Sequence, residues 1–318
     1  MTRYVIRRVA LSVITLFLLV TAVFLIVNVF PSDPGRSIAG PFAPQATVDD
    51  INERLGTNDP LPEQYGRLLK SVVTSDYGDS FQFRQPVADL LLPALGRSAR
   101  LVALGLIFTV PLAIAAGIFA ARRRDTFADR TVVTLGLASS SIPEFVSGVT
   151  LQYLLGVKLG WFPALATAPR DAGILTQLNH LLLPAFALVV VYFGYIARMT
   201  RAGVIAALDA DYTRTAVMKG LSNPRVMRRH VMRNGLQPTV SVIGTQVGYL
   251  FSGLLGLELI FNYQGLGNLI YNAAGSKDFP VLTAGVITVG IIYMLCTLAA
   301  DLVIAWMNPR ARLAPSRG

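Results

Sequence analysis

The sequence predicts an all-α integral membrane protein with six transmembrane helices. Six apolar runs are long enough to cross a bilayer, which takes roughly 20 residues. Only 14% of the residues are charged, well below the roughly 25% of soluble domains. Lysine and arginine cluster beside the apolar runs, so the net charge of +10 follows the positive-inside rule and does not indicate nucleic-acid binding.

The first run, 9–30, follows Arg3, Arg7 and Arg8. Its length exceeds that of a signal-peptide apolar region, and no small-residue cleavage site follows it directly. It is therefore predicted to be an uncleaved helix with a cytoplasmic N-terminus. The further runs are 98–121, 131–157, 179–200, 239–261 and 281–306.

Three polar segments without a cluster of lysine and arginine, 31–97, 158–178 and 262–280, are predicted to lie on the non-cytoplasmic side of the membrane. Within the first of them, 48–55 and 64–73 are candidate amphipathic helices. The N-terminus, the loops near 122–130 and 201–236, and a tail with Arg310, Arg312 and Arg317 carry most of the basic residues. This charge distribution predicts that both termini are cytoplasmic.

The basic segment 209–238 carries its own helix start and stop signals. Lys219 is expected in the last turn of a first helix, and Gly220 follows it as a residue free to take positive φ. We expect two short helices hinged at Gly220 and held outside the lipid, where they meet a soluble partner. The other signals are Asp209 and Asp211 at the first helix start, Asn223 as N-cap and Pro224 at the first position of the second helix, and Arg228, Arg229 and Arg233 near its end.

No catalytic, cofactor or metal site is expected on this chain. It lacks the G-x-x-x-x-G-K-[ST] phosphate loop, so it is not expected to hydrolyse ATP. His180 and His230 are not at metal-ligand spacing, and His180 is expected to cap or pack at a helix end. The single cysteine, Cys296, is expected to be a packing residue.

Ionisable residues at membrane depth are candidate functional groups, because burying them is costly. Glu144 follows Pro143, which should bend the third helix, and Ser140 and Ser141 stand nearby. Two interpretations stay open: Glu144 faces a translocation path and meets a cationic group of the solute, or it pairs structurally with another helix or subunit.

Other polar and small residues in the runs have more ordinary interpretations. Asp301 is expected to pair with a nearby arginine, and Glu258 to serve an outer gate or a docking contact. Gly244 and Gly248 are spaced for close helix contact.

Residues 211–221, followed by Arg233-Asn234 and Pro238, resemble the cytoplasmic signature loop of binding-protein-dependent ABC importer permeases. The version is similar to that of the peptide/nickel branch. Arg214-Thr215-Ala216 stand where the generic pattern has Glu-Ala-Ala, and Gln237 replaces an apolar residue. Similar motifs occur along nearly the whole chain and look like the B-type dipeptide/oligopeptide subunit: 30–34, 59–61, 64–65, 76–80, 85–87, 142–145, 161–163, 183–184, 197–201, 258–261, 265–267 and 308–310.

The resemblance implies a type I ABC importer permease fold in the bacterial inner membrane. It also implies a complex with a second, non-identical permease, two cytoplasmic ATPases that bind ATP and Mg, and an extracytoplasmic solute-binding protein. The segment would dock as a coupling helix through Asp211, Arg214, Thr215, Ala216, Lys219, Gly220 and Leu221. An outer gate or docking site would involve Glu258, Phe261, Gly265 and Gly267.

These expectations give three parts: 1–97 as first helix plus outer segment, 98–307 as permease core, and 308–318 as cytoplasmic tail. The expected solute is a di- or oligopeptide, with nickel chelates, glutathione and oligosaccharides open as alternatives. A proton-coupled secondary transporter using Glu144, and a lipid-binding membrane scaffold, are the rival functions.

Overall fold

The computed structural model describes residues 2–29, 34–169 and 171–307. The motif at 308–310, the tail arginines, and positions 30–33 of the motif after the first helix lie outside the described residues. The described part is helical and contains no strand beyond one isolated antiparallel bridge between Asp79 and Pro86.

The helices of the first half begin with α1, Thr2–Val29. The segment after it holds three shorter helices, and two of these contain the predicted amphipathic pieces. The bounds are α2 Pro34–Ala39, α3 Gln45–Leu55, α4 Leu61–Thr74, α5 Val87–Arg122, α6 Phe127–Ser140 and α7 Glu144–Leu151, which continues as a π-helix over Gln152–Lys158.

The second half starts with α8, Ile174–Asp209, a helix of 36 residues that tolerates Pro184 inside it. The following helices are α9 Asp211–Met218, α10 Asn223–Val226, a π-helix Met227–Val231, α11 Met232–Gly235, α12 Gln237–Ile260, α13 Leu266–Ser276 and α14 Phe279–Met307.

The six predicted crossings correspond to four long apolar helices and two bent helix pairs. The four lie at Ile6–Val27, Val87–Arg122, Ile174–Asp209 and Phe279–Val303. The pair α6 and α7 is bent by 99°, and α12 is bent by 52° near 251–253. Among the described residues, four helices are therefore long and apolar enough to span a membrane, and the candidate spans number up to six if each bent pair crosses as one.

Three details of the predicted pattern were wrong. The third run is not one helix, because Pro143 takes an extended conformation (φ −60°, ψ 143°) and becomes the N-cap of α7. Asp209 ends α8 instead of starting the next helix, since α8 runs nine residues past its predicted end. Ser222, not Asn223, is the N-cap of α10.

The described chain forms two compact units. The first contains 100–263 together with the described residues of 2–8 and 293–307, and its core packs α6, α7 and α12 on α8. Helices α6 and α8 approach closely at Gly136, where an added Cβ would lie 3.0 Å from Cα of Gly194. The predicted contact at Gly244 and Gly248 is confirmed: added Cβ atoms there would meet Ala300 and Tyr293 of α14.

The second unit contains 9–99 and 264–292. Its apolar core gathers Val87 and Leu91 of α5 with residues of α13 and α14. Fully buried Asp278 accepts hydrogen bonds from Ser80 Oγ (2.5 Å) and from the backbone N–H groups of Phe81 (3.1 Å) and Gln82 (3.2 Å). This carboxylate fixes the turn at 79–86 onto the start of α14.

Candidate functional site: a two-faced surface helix and an intramembrane carboxylate

Helix α9 is anchored to the end of α8 by a side-chain bond. Thr213 Oγ1 donates to the carbonyl of Ala207 at 2.7 Å, across the one-residue break at Ala210. Asp211 lies in the first turn, where an acidic group is favoured by the helix dipole. The break lets the chain turn sharply without losing the contact between the two helices.

One face of α9 is buried within the chain. Thr213 and Ala216, three residues apart, are each only 5% exposed. Ala216 packs into an apolar cluster with Val204 of α8, Val226 of α10 and Val231. The small side chain of Ala216 therefore allows close approach of the protein's own helices, and it does not lie on the surface where the resemblance led us to expect it.

The opposite face of α9 is exposed. Asp211, Arg214, Thr215 and Met218 follow the spacing i, i+3, i+4 and i+7, which places them on one side of a helix. Met218 is 80% exposed, an unusual degree for a large apolar side chain. An exposed apolar residue rimmed by polar and charged ones is typical of a protein-binding surface. We call these four residues the outward face.

The turn after α9 has the conformation that the sequence predicts. Lys219 is the C-cap, and Gly220 takes φ +76°, with its N–H bonded to the carbonyl of Val217 at 2.9 Å. Nothing lies within 4 Å of a Cβ added to Gly220, so the glycine is required by its backbone angle and not by space. Leu221 then packs partly buried against the Ala216 cluster.

The returning segment is tied to α8 and α9. An added Cβ at Gly235 of α11 would lie 3.0 Å from the carbonyl oxygen of Gly203 in α8. Val226 and Val231 of the segment pack with Ala216 of α9, and burial raises the pKa of the Tyr212 phenol above its usual value. The segment 209–236 is therefore one packed body on the end of α8, with the outward face left free.

A buried ion pair lies on the same half of α8. The Asp129 carboxylate, at the start of α6, receives Nε and Nη2 of Arg201 at 2.5 and 2.6 Å. It also accepts the backbone N–H of Asp125 at 2.9 Å. A bidentate pair with a further backbone donor is the geometry in which a buried ion pair is satisfied. Sequence reasoning missed this pair, because nothing local links residues 72 positions apart.

Glu144 is the first residue of α7, at the bend that follows Pro143. Its carboxylate accepts a hydrogen bond from the Tyr192 hydroxyl of α8. On the other side it lies against α12, where a Cβ added to Gly253 would collide with the carboxylate. Among the described residues no cationic side chain forms an ion pair with Glu144.

The two serines beside this bend form their hydrogen bonds with α6 and not with Glu144. Ser140 Oγ donates to the carbonyl of Gly136 at 2.7 Å, and Ser141 Oγ donates to that of Leu137 at 3.0 Å. Both hydroxyls therefore bond back to carbonyl groups about one turn earlier in α6. Sequence reasoning missed Tyr192 as the hydrogen-bond partner of Glu144. The one feature that could have indicated it is a polar phenol inside an apolar run.

The residues predicted for the outer end occupy buried positions. Glu258 and Phe261 are fully buried in the first unit, and the carbonyl of Phe261 accepts the N–H of Ala166 at 2.8 Å. In the second unit, Gly265 is the N-cap of α13 and Gly267 is buried. None of the four is a large exposed side chain, and their gate or docking role stays a prediction.

Two further predictions concern paired polar groups. Asp301 binds Arg8, with Nε 3.1 Å from Oδ2, so the expected pairing with an arginine is confirmed. His180 lies near the start of α8, where its Nδ1 is 2.8 Å from the carbonyl oxygen of Leu165. Both residues have structural partners and are not candidates for solute binding.

Comparison with known proteins matches the chain along its length. Residues 113–313 match the family described as binding-protein-dependent transport system inner membrane component. Residues 1–101 match the family of the corresponding N-terminal membrane component.

Two curated relatives cover nearly the whole chain. The glutathione transport system permease protein GsiC of Escherichia coli (strain K12) is 34% identical over 98% of this chain and 99% of its own. A protein of Sinorhizobium fredii named "Probable peptide ABC transporter permease protein y4tP" is 32% identical over 97% of this chain and 99% of its own. A solved amino acid ABC transporter has 15% identity and a TM-score of 0.48, with 70% of this chain and 94% of that chain covered.

Proposed function

We propose that the transported solute is a short peptide, from the premise that this chain belongs to the binding-protein-dependent transport system inner membrane components, the permease subunits of ABC importers. A peptide offers a protonated amine, a carboxylate and several amides. The relatives are named for glutathione transport and for peptide transport, and both of these solutes carry such groups.

The observation that carries the proposal is the state of Glu144. It is an acidic side chain at the bend of a broken span, with a phenol as its hydrogen-bond partner and no ion pair within the described chain. Ionisable groups at membrane depth are expensive to keep and mark solute paths by default. An ammonium group is the complementary charge, so Glu144 receives the amino terminus of the solute as it passes the bend.

Neither nickel chelates nor neutral oligosaccharides require such a group. A neutral sugar carries no cation, and the described residues around Glu144 contribute one carboxylate and one phenol, which is a poor ligand set for nickel. A peptide, with its ammonium group, therefore complements the carboxylate at the bend better than these two solutes do. Glutathione is peptide-like and also carries an ammonium group, so it stays within the proposed class of solutes.

The coupling step is assigned to the outward face. Partner ATPases bind ATP and Mg, and one of them docks on Asp211, Arg214, Thr215 and Met218, with Lys219 at the rim. Thr213 and Ala216 bind α9 to α8, and Gly220 and Leu221 shape the turn that returns the chain to the cluster. Movement of the docked ATPase is thereby passed to α8 and, through the helices packed on it, to the bend at Glu144.

This assignment sets the orientation and the partners. Segment 209–238 and both chain ends face the cytoplasm, and the segment after α1 faces the binding protein outside. The chain pairs with a second, non-identical permease, two ATPases and a solute-binding protein. The four predicted gate residues, Glu258, Phe261, Gly265 and Gly267, lie toward that outer side.

Met218→Glu tests the docking assignment. It places a charge on an exposed apolar contact without touching the buried cluster, so the fold should be kept. We expect the amount of ATPase that co-purifies with the assembly to fall at least fivefold, because burying an unpaired charge at an interface costs more than about 1 kcal/mol. The measurement is the ATPase-to-permease ratio after affinity purification.

The matched control is Val73→Glu, which introduces the same charge at an apolar residue of α4 that is 85% exposed. It should leave the ATPase ratio unchanged. Equal ratios for wild type and Met218→Glu, with full uptake, would show that the ATPase docks elsewhere.

A further inference from the structure

A groove formed by the segment after Gly220 gathers four arginines. It has a volume of about 750 Å³ and is lined by Ser222, Pro224, Arg225, Arg228, Arg229 and Arg233. No carboxylate lines it, and all four arginines are exposed. Within the part of the chain that the structure describes, none of the four forms an ion pair. Four uncompensated guanidinium groups around one concavity form a site for an anion.

A second groove of about 750 Å³ adjoins the first and shares Pro224 and Arg228 with it. Its lining is largely apolar, with more apolar than polar surface. Apolar side chains that line it include Ile118, Leu208, Val217, Met227 and Met232. A cationic pocket that adjoins an apolar groove matches an amphiphile with an anionic head and a hydrocarbon tail.

The arginine groove lies close to the start of a candidate span. The span of α12 begins at Gln237, and Arg233 and Arg229 precede it by four and eight residues. At the helical rise these intervals are about 6 and 12 Å. The headgroup layer is roughly 5–8 Å thick on each side of the hydrocarbon core, so a helix continued from α12 would place Arg233 at its depth and Arg229 about 4 Å beyond it, within reach of a long side chain.

We propose that this arginine groove binds the phosphate of an anionic phospholipid, with an acyl chain lying in the adjoining apolar groove. Arginine forks bind phosphate oxygens in pairs, and their stems can lie along apolar surface. A free phosphate would not use the apolar groove. An acidic partner protein would suit a flatter surface, and the outward face of α9 already provides one. The inference does not depend on which solute the permease carries.

The test measures lipid binding to the purified full chain in a neutral detergent. Native mass spectrometry would count bound phosphatidylglycerol and phosphatidylcholine with identical acyl chains. We expect phosphatidylglycerol to bind on the order of tenfold more tightly, and the double variant Arg228→Gln/Arg229→Gln to remove most of that preference, since each basic residue near a headgroup contributes about fivefold.

The matched control is Arg123→Gln/Arg130→Gln, which removes the same charge from a basic loop outside the groove. It should keep the preference for phosphatidylglycerol within twofold. If the groove variant gives too little protein, the single variant Arg229→Gln, at an exposed position, should weaken binding about fivefold.

Three results would overturn the inference. Equal losses in the groove variant and the control would indicate general charge attraction. Displacement of the lipid by an equal concentration of inorganic phosphate would indicate a site for a free anion. Loss of the ATPase partners from the groove variant, with lipid binding intact, would make the groove a protein interface.

Discussion

Two carboxylates begin helices that pack on α8, and they meet different partners there. Asp129, in the first turn of α6, is held by two nitrogens of Arg201. Glu144, at the start of α7, has the hydroxyl of Tyr192 and no ion pair. Their partners lie nine residues apart on α8, about 14 Å along the helix.

The comparison indicates that the charge of Asp129 is structural, whereas the charge of Glu144 remains available to a solute. A carboxylate neutralised by its own chain fixes two helices to each other and has no charge to offer. A carboxylate at membrane depth without a cation keeps its full attraction for an ammonium group, and the chain carries the cost of desolvating it. The same chemical group therefore holds the fold at Asp129, and at Glu144 we propose that it meets the solute.

Replacing Asp129 should have the largest effect on stability. Asp129→Asn leaves Arg201 largely buried without its counter-charge, and breaking such a pair costs about 3 kcal/mol. We expect a clear fall in the temperature of thermal unfolding in detergent, together with a lower yield. Uptake per folded molecule should change less than the yield.

Asp125→Asn is the control for this change. Its side chain is 80% exposed, and asparagine accepts its left-handed backbone conformation, φ +64°. Its unfolding temperature should stay close to that of the wild type. A fall as large as that of Asp129→Asn would contradict a specific role for the buried pair.

Replacing Glu144 should affect transport and leave stability nearly unchanged. Glu144→Gln keeps an acceptor for the Tyr192 hydroxyl but removes the charge. A hydrogen bond to a charged group contributes about 1.5–3 kcal/mol, so ATP-driven dipeptide uptake at low substrate should fall on the order of tenfold. Glu63→Gln, at an exposed glutamate of α4, should leave uptake unchanged.

Gly253→Ala should have a smaller effect, through the position of the Glu144 carboxylate. The added methyl group meets that carboxylate, which has to rotate away from α12. We expect uptake to fall a few-fold, measured with the same dipeptide. Gly256→Ala lies one turn further along, where the methyl group would be at an ordinary 3.4 Å from Cβ of Phe145.

Because both alanines raise helix propensity by about 1 kcal/mol, that contribution cancels between the two variants. Equal uptake by the two proteins would mean that the position of the carboxylate does not matter.

Much of the fold was predictable because lipid imposes a simple rule on sequence. Apolar runs of sufficient length gave the spans, and the positive φ of Gly220 followed from its place after a helix end. The 99° bend at Pro143 was not predictable in size, since a proline sets where a helix breaks but not how the next one packs.

Side-chain partners across the fold were the part that sequence could not give. Asp129 and Arg201 are 72 residues apart, and Ser80 and Asp278 are 198 apart. Only the packed helices bring them together. The two faces of α9 were within reach of sequence, because the spacing of Thr213 and Ala216 already separates them from the outward face. The motif resemblance led us to expect Ala216 to contact an ATPase, whereas its side chain packs in the apolar cluster with Val204 and Val226.

The most direct test combines a change in the solute with a change at Glu144. The complete assembly, reconstituted in vesicles, would be supplied with ATP and either a dipeptide or its analogue lacking the amino group. Wild type should take up the dipeptide about tenfold faster than the analogue, and in Glu144→Gln that ratio should fall to nearly one. If the ratio were the same in both proteins, Glu144 would not be the group that meets the amine of the solute.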